Sequence, residues 1–265
     1  MKVVSAAADR VRPDVGGVVV LLYHRVGGGS TLEIDLDAAR FEEQIAVVAS
    51  GRALTLGNAL EELAAPPAGS AAAESAIVVT FDDGTADFAE IALPILVRHQ
   101  VPVTLYLATD FVEGGGSAFP GGARAISWSA LRDACSTGLV NIGSHTHSHR
   151  LLDRTLPSEA ADELDRSIEL IGSNLGAAPL DFAYPKAVAA RGDVERVVRE
   201  RFRSAALAGT RVNPFGATDP YRLARSPIQV SDGMQFFEKK LAGGMALEAS
   251  FRRAMNRVRY ARAGT

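Results

Sequence analysis

The chain is poor in several things, and each shortage excludes something. A single cysteine, Cys135, in 265 residues excludes an internal disulfide and any Cys-rich zinc module. No local motif supports a reactive thiol there, so Cys135 reads as a small buried hydrophobe near a helix end. No apolar run is long enough to span a membrane. The first, Val18–Tyr23, ends at once in His24-Arg25 and reads as a buried strand. The segment before it carries Asp9 and Asp14 and lacks the apolar stretch of an export signal, so a cytoplasmic protein is expected. Charge of one sign is also scarce. Against 31 acidic residues stand 28 Lys and Arg, a net charge of −3, which gives no electrostatic reason to expect nucleic acid as a partner. No internal repeat stands out.

Alternation is what the sequence has in quantity. Short apolar runs at Val18–Tyr23, Ile77–Phe81, Val103–Leu107, Val140–Gly143, Leu180–Tyr184, Ser204–Leu207 and Pro227–Val230 are separated by helical patterns. Continuous apolar runs fit parallel strands covered on both faces. Leu164, Ile168 and Ile171 repeat at helical spacing, with Ser158 as an N-cap and Gly172 just past the end. Val194, Val197 and Val198 repeat likewise, and Pro94 predicts a break in the Phe88–Val97 pattern. Strands alternating with helices throughout predict an α/β fold, a distorted parallel (β/α) barrel of about seven strands. The barrel is expected over residues 1–235, with a helical tail over 236–265. Stretches 64–75 and 113–124 read as loops. Five arginines between Arg252 and Arg262 read as a solvated helix end.

Two clusters carry chemistry. Thr80-Phe81-Asp82-Asp83-Gly84 directly follows Ile77-Val78-Val79, so adjacent carboxylates fall at the carboxyl end of a parallel strand, where α/β folds place ligands. Neighbours in an extended segment point to different sides, so one Asp can bind a cation while the other faces a reacting group. Asp-Asp-Gly alone is ordinary turn chemistry. The second cluster, His145-Thr146-His147-Ser148-His149, holds three of the five histidines. In a first helical turn, His145 and His149 share one face and His147 points elsewhere. Two His and one Asp leave a coordination position open, the pattern of a catalytic site.

These two clusters resemble the first two motifs of the polysaccharide deacetylase family, also called the NodB-homology domain or carbohydrate esterase family 4. The likeness extends over most of the chain. Leu22-Tyr23-His24-Arg25-Val26 resembles the opening strand of one branch. Trp128 with the stretch 138–145 fits the approach to the histidines, and Phe182-Ala183-Tyr184-Pro185-Lys186 resembles the third motif.

The resemblance implies a distorted barrel with fewer than eight strands. It implies Asp83, His145 and His149 as ligands of a divalent metal ion, zinc by the ligand set, with Asp82 as general base. The N–H of Lys186 is expected to face the oxyanion, since Pro185 cannot donate. Trp128, Tyr184 and Arg225 are expected at the substrate, an N-acetylated sugar. Two positions depart from the pattern. Ala183 stands where the family often has an arginine that orients the base, and no histidine follows His149 to act as general acid. Near Leu223-Ala224-Arg225-Ser226-Pro227 only Arg225 is offered, so His24 is expected to serve as acid or substrate clamp. Hydrolysis of another linear or cyclic amide, or a metal-binding, catalytically weak role in polysaccharide assembly, are the competing readings.

Overall fold

The apolar runs are strands because elements pack on both of their faces. The computed structural model describes residues 16–66, 75–114 and 122–245. Seven parallel strands close into a barrel: β1 (Gly17–Tyr23), β2 (Ala76–Asp83), β3 (Val103–Leu107), β4 (Val140–Ser144), β5 (Asp181–Ala183), β6 (Ser204–Ala208) and β7 (Leu223–Pro227). Each pairs with the next, and β7 returns to β1. Val20 of β1 therefore stands opposite Val78 of β2 on one side and Arg225 of β7 on the other. The short segment Asn213–Pro214 pairs antiparallel with the start of β1.

Six of the expected runs fall on these strands. The seventh is displaced: β7 lies at Leu223–Pro227, upstream of the expected Pro227–Val230. Arg225 sits in its middle, flanked by Ala224 and Ser226, so no apolar run marks it.

Side-chain parity divides the core in two. On β1, Val19, Leu21 and Tyr23 face outward and Val18 and Val20 inward. On β2, Ile77, Val79 and Phe81 face outward, Ala76 and Val78 inward. On β3, Val103, Leu105 and Leu107 face outward and Tyr106 inward. Period-two alternation carries Thr80 and Asp82 to the lumen. The lumen is apolar at its amino-terminal end and polar at its carboxyl-terminal end.

Helices α1 (Ala38–Ser50) and α2 (Leu56–Ala64) follow β1, capped by Asp37 and Thr55. Leu56, Ala59 and Leu63 of α2 close the amino-terminal end of the lumen. The outer shell continues with α3 (Leu93–Arg98), α4 (Thr109–Val112), α5 (Trp128–Ser136), α6 (Pro157–Leu175), α7 (Gly192–Arg201) and α8 (Gly233–Leu241). The break expected at Pro94 is present: a π-helical turn, Phe88–Ala92, hands over to α3 there. Outside β2, Phe81 stacks on Tyr23 at 5.3 Å and meets Phe88 edge-on at 5.1 Å. Fully burying each such ring is worth ~1.5–3 kcal/mol, and this cluster anchors the strand one residue before Asp82.

Helix α6 differs from expectation at both ends. It opens at Pro157 rather than after Ser158, because proline suits a first helical position and the Glu159 carboxylate accepts from the Leu156 N–H at 3.1 Å. It runs through Gly172 and stops at Gly176, whose φ of 81° is the left-handed cap that glycine adopts freely. Helix α8 spans the expected 235/236 boundary and buries Phe237 in the outer core. Cys135 lies half-buried in the last turn of α5. The arginine-rich stretch 252–262, and most of both expected loops, lie outside the described residues. Among the described residues no helix is long and apolar enough to cross a membrane.

Candidate active site

The polar end of the lumen is organised around Asp82. Its carboxylate is buried and receives two parallel hydrogen bonds from Arg225, Nη1 to Oδ1 at 2.6 Å and Nη2 to Oδ2 at 2.8 Å. Arg225 is 1% exposed. It also donates to Thr80 Oγ1 at 3.3 Å and, through Nε, to the Leu207 carbonyl at 3.3 Å. Burial alone would raise the Asp82 carboxyl. Arg225, with contributions from His145 and His24, overrides that and holds it at about 2. Arg225 was expected at the substrate; it is buried against Asp82 instead, spanning a lumen that the small side chains of Ala183 and Ala206 leave open. Its guanidinium stands where the missing third-motif arginine would be needed, although it comes from a different strand.

Strict alternation would send Asp83 to the opposite face. It does not, because its φ is 81° and Gly84 follows at 92°, so the backbone turns sharply at the strand end. Asp83 Oδ1 then lies 3.6 Å from both His145 Nε2 and His149 Nε2. One ligand atom from each of the three residues lies within 4.8 Å of the others. The histidines are not on a helical turn, as the i, i+4 spacing suggested. Residues 145–149 form a loop, bent by left-handed Thr146 (φ 66°) and His149 (φ 57°), which brings the rings to 4.9 Å. Glu163 of α6 pins this loop by accepting from the N–H of His147 and of Ser148 and from the Ser148 hydroxyl. His147 points away, as expected, with Nδ1 2.9 Å from Thr109 Oγ1.

The three residues fit a divalent cation. His145 Nδ1 lies 2.7 Å from the Ala183 carbonyl, which can only accept. That bond fixes the tautomer and turns an unprotonated Nε2 toward Asp83. Burial, then charge from Arg225 and Lys186, outweighs Asp82 in holding His145 below the usual imidazole value. Burial, then His145 and Lys186, pushes His149 down to about 2. Both rings are thus in the neutral form a metal requires. Burial and the adjacent Asp82 carboxylate push Asp83 well above the usual carboxylate range, the signature of an anion whose pocket suits a positive charge.

His24, at the end of β1, belongs to the same cluster electrostatically. Burial lowers it to about 4; Asp82 opposes that, and Arg225, His145 and Lys186 add to it. The Lys186 charge acts on His24, Asp83, His145 and His149 alike. Lys186 itself is left-handed, φ 53°, as is Ala187. Among the described residues, five of the seven non-glycine residues with positive φ, Asp83, Thr146, His149, Lys186 and Ala187, surround this site. Such strain concentrates where surrounding structure over-determines a working geometry.

Two expected residues stand apart. Tyr184 is buried in an outer cluster with its ring edge-on to Phe182 at 5.0 Å. The charges that act on its hydroxyl are Glu195, Arg222, Arg199 and Asp219, none of them a member of the cluster around Asp82. Phe182 and Tyr184 are two residues apart and share the outward face, whereas Ala183 faces the lumen. Trp128 packs against the outer core, and its indole N–H donates to Glu113 at 2.6 Å.

Comparison with known proteins agrees with this geometry. No curated protein sequence matches the chain. Among solved structures, the chain is similar to the Streptococcus pyogenes deacetylase PplD in complex with acetate, at 18% identity and TM-score 0.72 over 86% of this chain and 99% of that one. It is similar to IcaB from Ammonifex degensii at 22% identity and TM-score 0.71, over 85% and 97% of the two chains. It is also similar to BC0361, a polysaccharide deacetylase from Bacillus cereus, at 19% identity and TM-score 0.69, over 86% and 69%. These likenesses show the shared barrel. The sequence model of one family, polysaccharide deacetylase, matches residues 69–202, half of the chain and all of both chemical clusters, and the chain belongs to that family.

Proposed function

We propose that the protein is a zinc-dependent hydrolase that removes N-acetyl groups from a carbohydrate. The observation that carries this reading is the placement of a locked, ionised carboxylate, Asp82, directly beside the Asp83, His145 and His149 ligand set. A structural metal site would need only one of the two carboxylates. The acetate named in the PplD structure is the product this chemistry would release, and it supports the reading.

Asp83, His145 and His149 would hold the ion, which supplies Lewis acidity to the acetyl oxygen and to water. Asp82 accepts the proton of the attacking water. Arg225 keeps that carboxylate ionised and presents its remaining lone pairs to the cavity. The Lys186 N–H, in the left-handed turn after Pro185, donates to the developing oxyanion. His24, held neutral by burial, clamps the substrate by hydrogen bonding. Asp82 then returns its proton to the departing amine, so one carboxylate acts as base and then acid. This division of labour accounts for a chain with no histidine after His149.

The test is acetate release by zinc-loaded protein from N-acetylglucosamine oligomers, peptidoglycan fragments and lipid-linked sugars. Release from at least one of them, abolished by chelation and restored by zinc, is expected. Release only from non-sugar amides would overturn the carbohydrate assignment.

A further inference from the structure

We propose that Tyr106 is a positioning residue: its ring, wedged against Gly143, carries the guanidinium of Arg225 and thereby sets the pose of Asp82. The inference rests on the deacetylase reading and adds a residue to its machinery that touches neither substrate nor metal.

Three neighbouring positions on adjacent strands make the device. Asp82 of β2 stands opposite Tyr106 of β3, and Tyr106 stands opposite Gly143 of β4. The Tyr106 ring occupies the space that a side chain at 143 would need. A Cβ there would meet ring atoms Cδ1 and Cε1 at 2.4 and 2.6 Å, closer than any real contact, so only glycine admits the ring. The Arg225 Cζ lies 5.1 Å from the ring centroid, within range for attraction between a cation and an aromatic face. Arg225 is thus held on every side that leads to Asp82: by the carboxylate, by Thr80, by the Leu207 carbonyl and by this ring.

The hydroxyl of Tyr106 adds a second observation. It is buried and has no hydrogen-bond partner among the described residues, although it lies within reach of the charges of Asp181, Arg225, Asp82 and Arg203. The ring therefore does the holding, and the hydroxyl contributes nothing to it. A buried hydroxyl without a partner is a cost, so phenylalanine should serve equally well.

The test compares four zinc-loaded full-length proteins: wild type, Tyr106→Phe, Tyr106→Leu and Leu63→Ala. The last variant removes lumen volume at the amino-terminal end, away from Arg225. Tyr106→Phe is expected to keep kcat and KM within about twofold. Tyr106→Leu is expected to lower kcat ~10- to 100-fold with KM nearly unchanged and full zinc content, since small misplacements of a reacting group cost on that order. Leu63→Ala is expected to lower Tm and leave kcat alone. Equal losses of kcat in Tyr106→Leu and Leu63→Ala would reduce Tyr106 to ordinary packing and overturn the proposal.

A readout independent of turnover separates this idea from the functional reading. The Arg225 side-chain N–H resonance should be ring-shifted and protected from exchange in wild type and Tyr106→Phe. It should move and lose protection in Tyr106→Leu or, should that variant fail to fold, in the unbranched and more adaptable Tyr106→Met. An unchanged resonance overturns the positioning role even in an active enzyme. A shifted resonance in a protein that releases no acetate sustains that role and fails the activity alone.

Discussion

Arg225 and Asp82 are 143 positions apart in sequence and meet through two hydrogen bonds of 2.6 and 2.8 Å at the top of the barrel lumen. The planar fork of arginine matches both carboxylate oxygens at once, and the single ammonium of lysine cannot. Arg225→Lys is therefore expected to retain zinc and lose ~10²-fold in acetate release, because charge is kept while orientation is lost. Arg225→Leu leaves Asp82 buried and unpaired, which costs ~3–5 kcal/mol and should appear as a large fall in Tm. Wild-type turnover in Arg225→Lys would show that orientation of the base is unimportant.

Asp82→Asn is nearly isosteric and keeps an oxygen for Arg225, but it cannot take a proton. Zinc content should stay near wild type, Tm should fall because Arg225 loses its buried counter-charge, and acetate release should fall ~10²- to 10⁴-fold, the usual contribution of a general base. Near-normal turnover would remove Asp82 from the chemistry.

The last two histidines of the cluster should behave oppositely. His149 faces Asp83 at 3.6 Å, whereas His147 is turned to Thr109. Metal analysis after dialysis should find zinc retained in His147→Ala and lost in His149→Ala. Equal loss in both would mean the ligand pair is misassigned.

His24 interacts with Asp82, Arg225, His145 and Lys186 and contributes no metal ligand atom to the triad. His24→Gln preserves a hydrogen-bonding side chain without an imidazole. Turnover should fall strongly with zinc affinity unchanged, as measured by competition with a chromogenic chelator. Unaltered kcat and KM would exclude His24 from the site.

The loop after β1 offers a pH test of stability. Asp35 accepts from the Gly28 N–H, the Ser30 N–H and the Ser30 hydroxyl, and lies 3.7 Å from Arg25. Burial would raise its carboxyl; the Ser30 and Gly28 hydrogen bonds and the Arg25 charge lower it on balance. A depressed folded value means a stabilisation present above the unfolded pKa of ~3.9 and lost as pH falls through the folded value. Asp35→Asn should therefore lower Tm at pH 7 and have a smaller effect near pH 3. An equal drop at both values would show that Asp35 does not act through its charge.

Much of this architecture was legible in the residues themselves. Apolar runs at six strands carried their own signal, most plainly in the first three, where every residue is buried. Asp82, Asp83, His145 and His149 declared themselves by clustering at strand ends. What stayed hidden depended on contacts between distant segments. Strand β7 was displaced in the reading because its central residue is charged, and that charge is legible only once Asp82 lies across the lumen from it. An arginine flanked by Leu223-Ala224 and Ser226-Pro227 was the available clue. The loop carrying His145 and His149 takes left-handed backbone angles on Thr146 and His149, which local propensity disfavours, so the two rings meet Asp83 from a loop and not from the helical turn that the spacing suggested. Tyr184 was misplaced because its inward or outward parity is set by neighbouring Ala183, which carries no chemical mark.

Closure of the barrel has a consequence for the order of events during synthesis. Asp83, His145 and His149 are all made while the carboxyl-terminal third of the chain is still unmade. The cation that neutralises Asp82 arrives on the last barrel strand, in the same step that joins β7 to β1. A nascent chain ending before Arg225 lacks the guanidinium whose two hydrogen bonds hold Asp82 in a fixed pose. Completion of the fold and the docking of Arg225 on Asp82 are therefore one event.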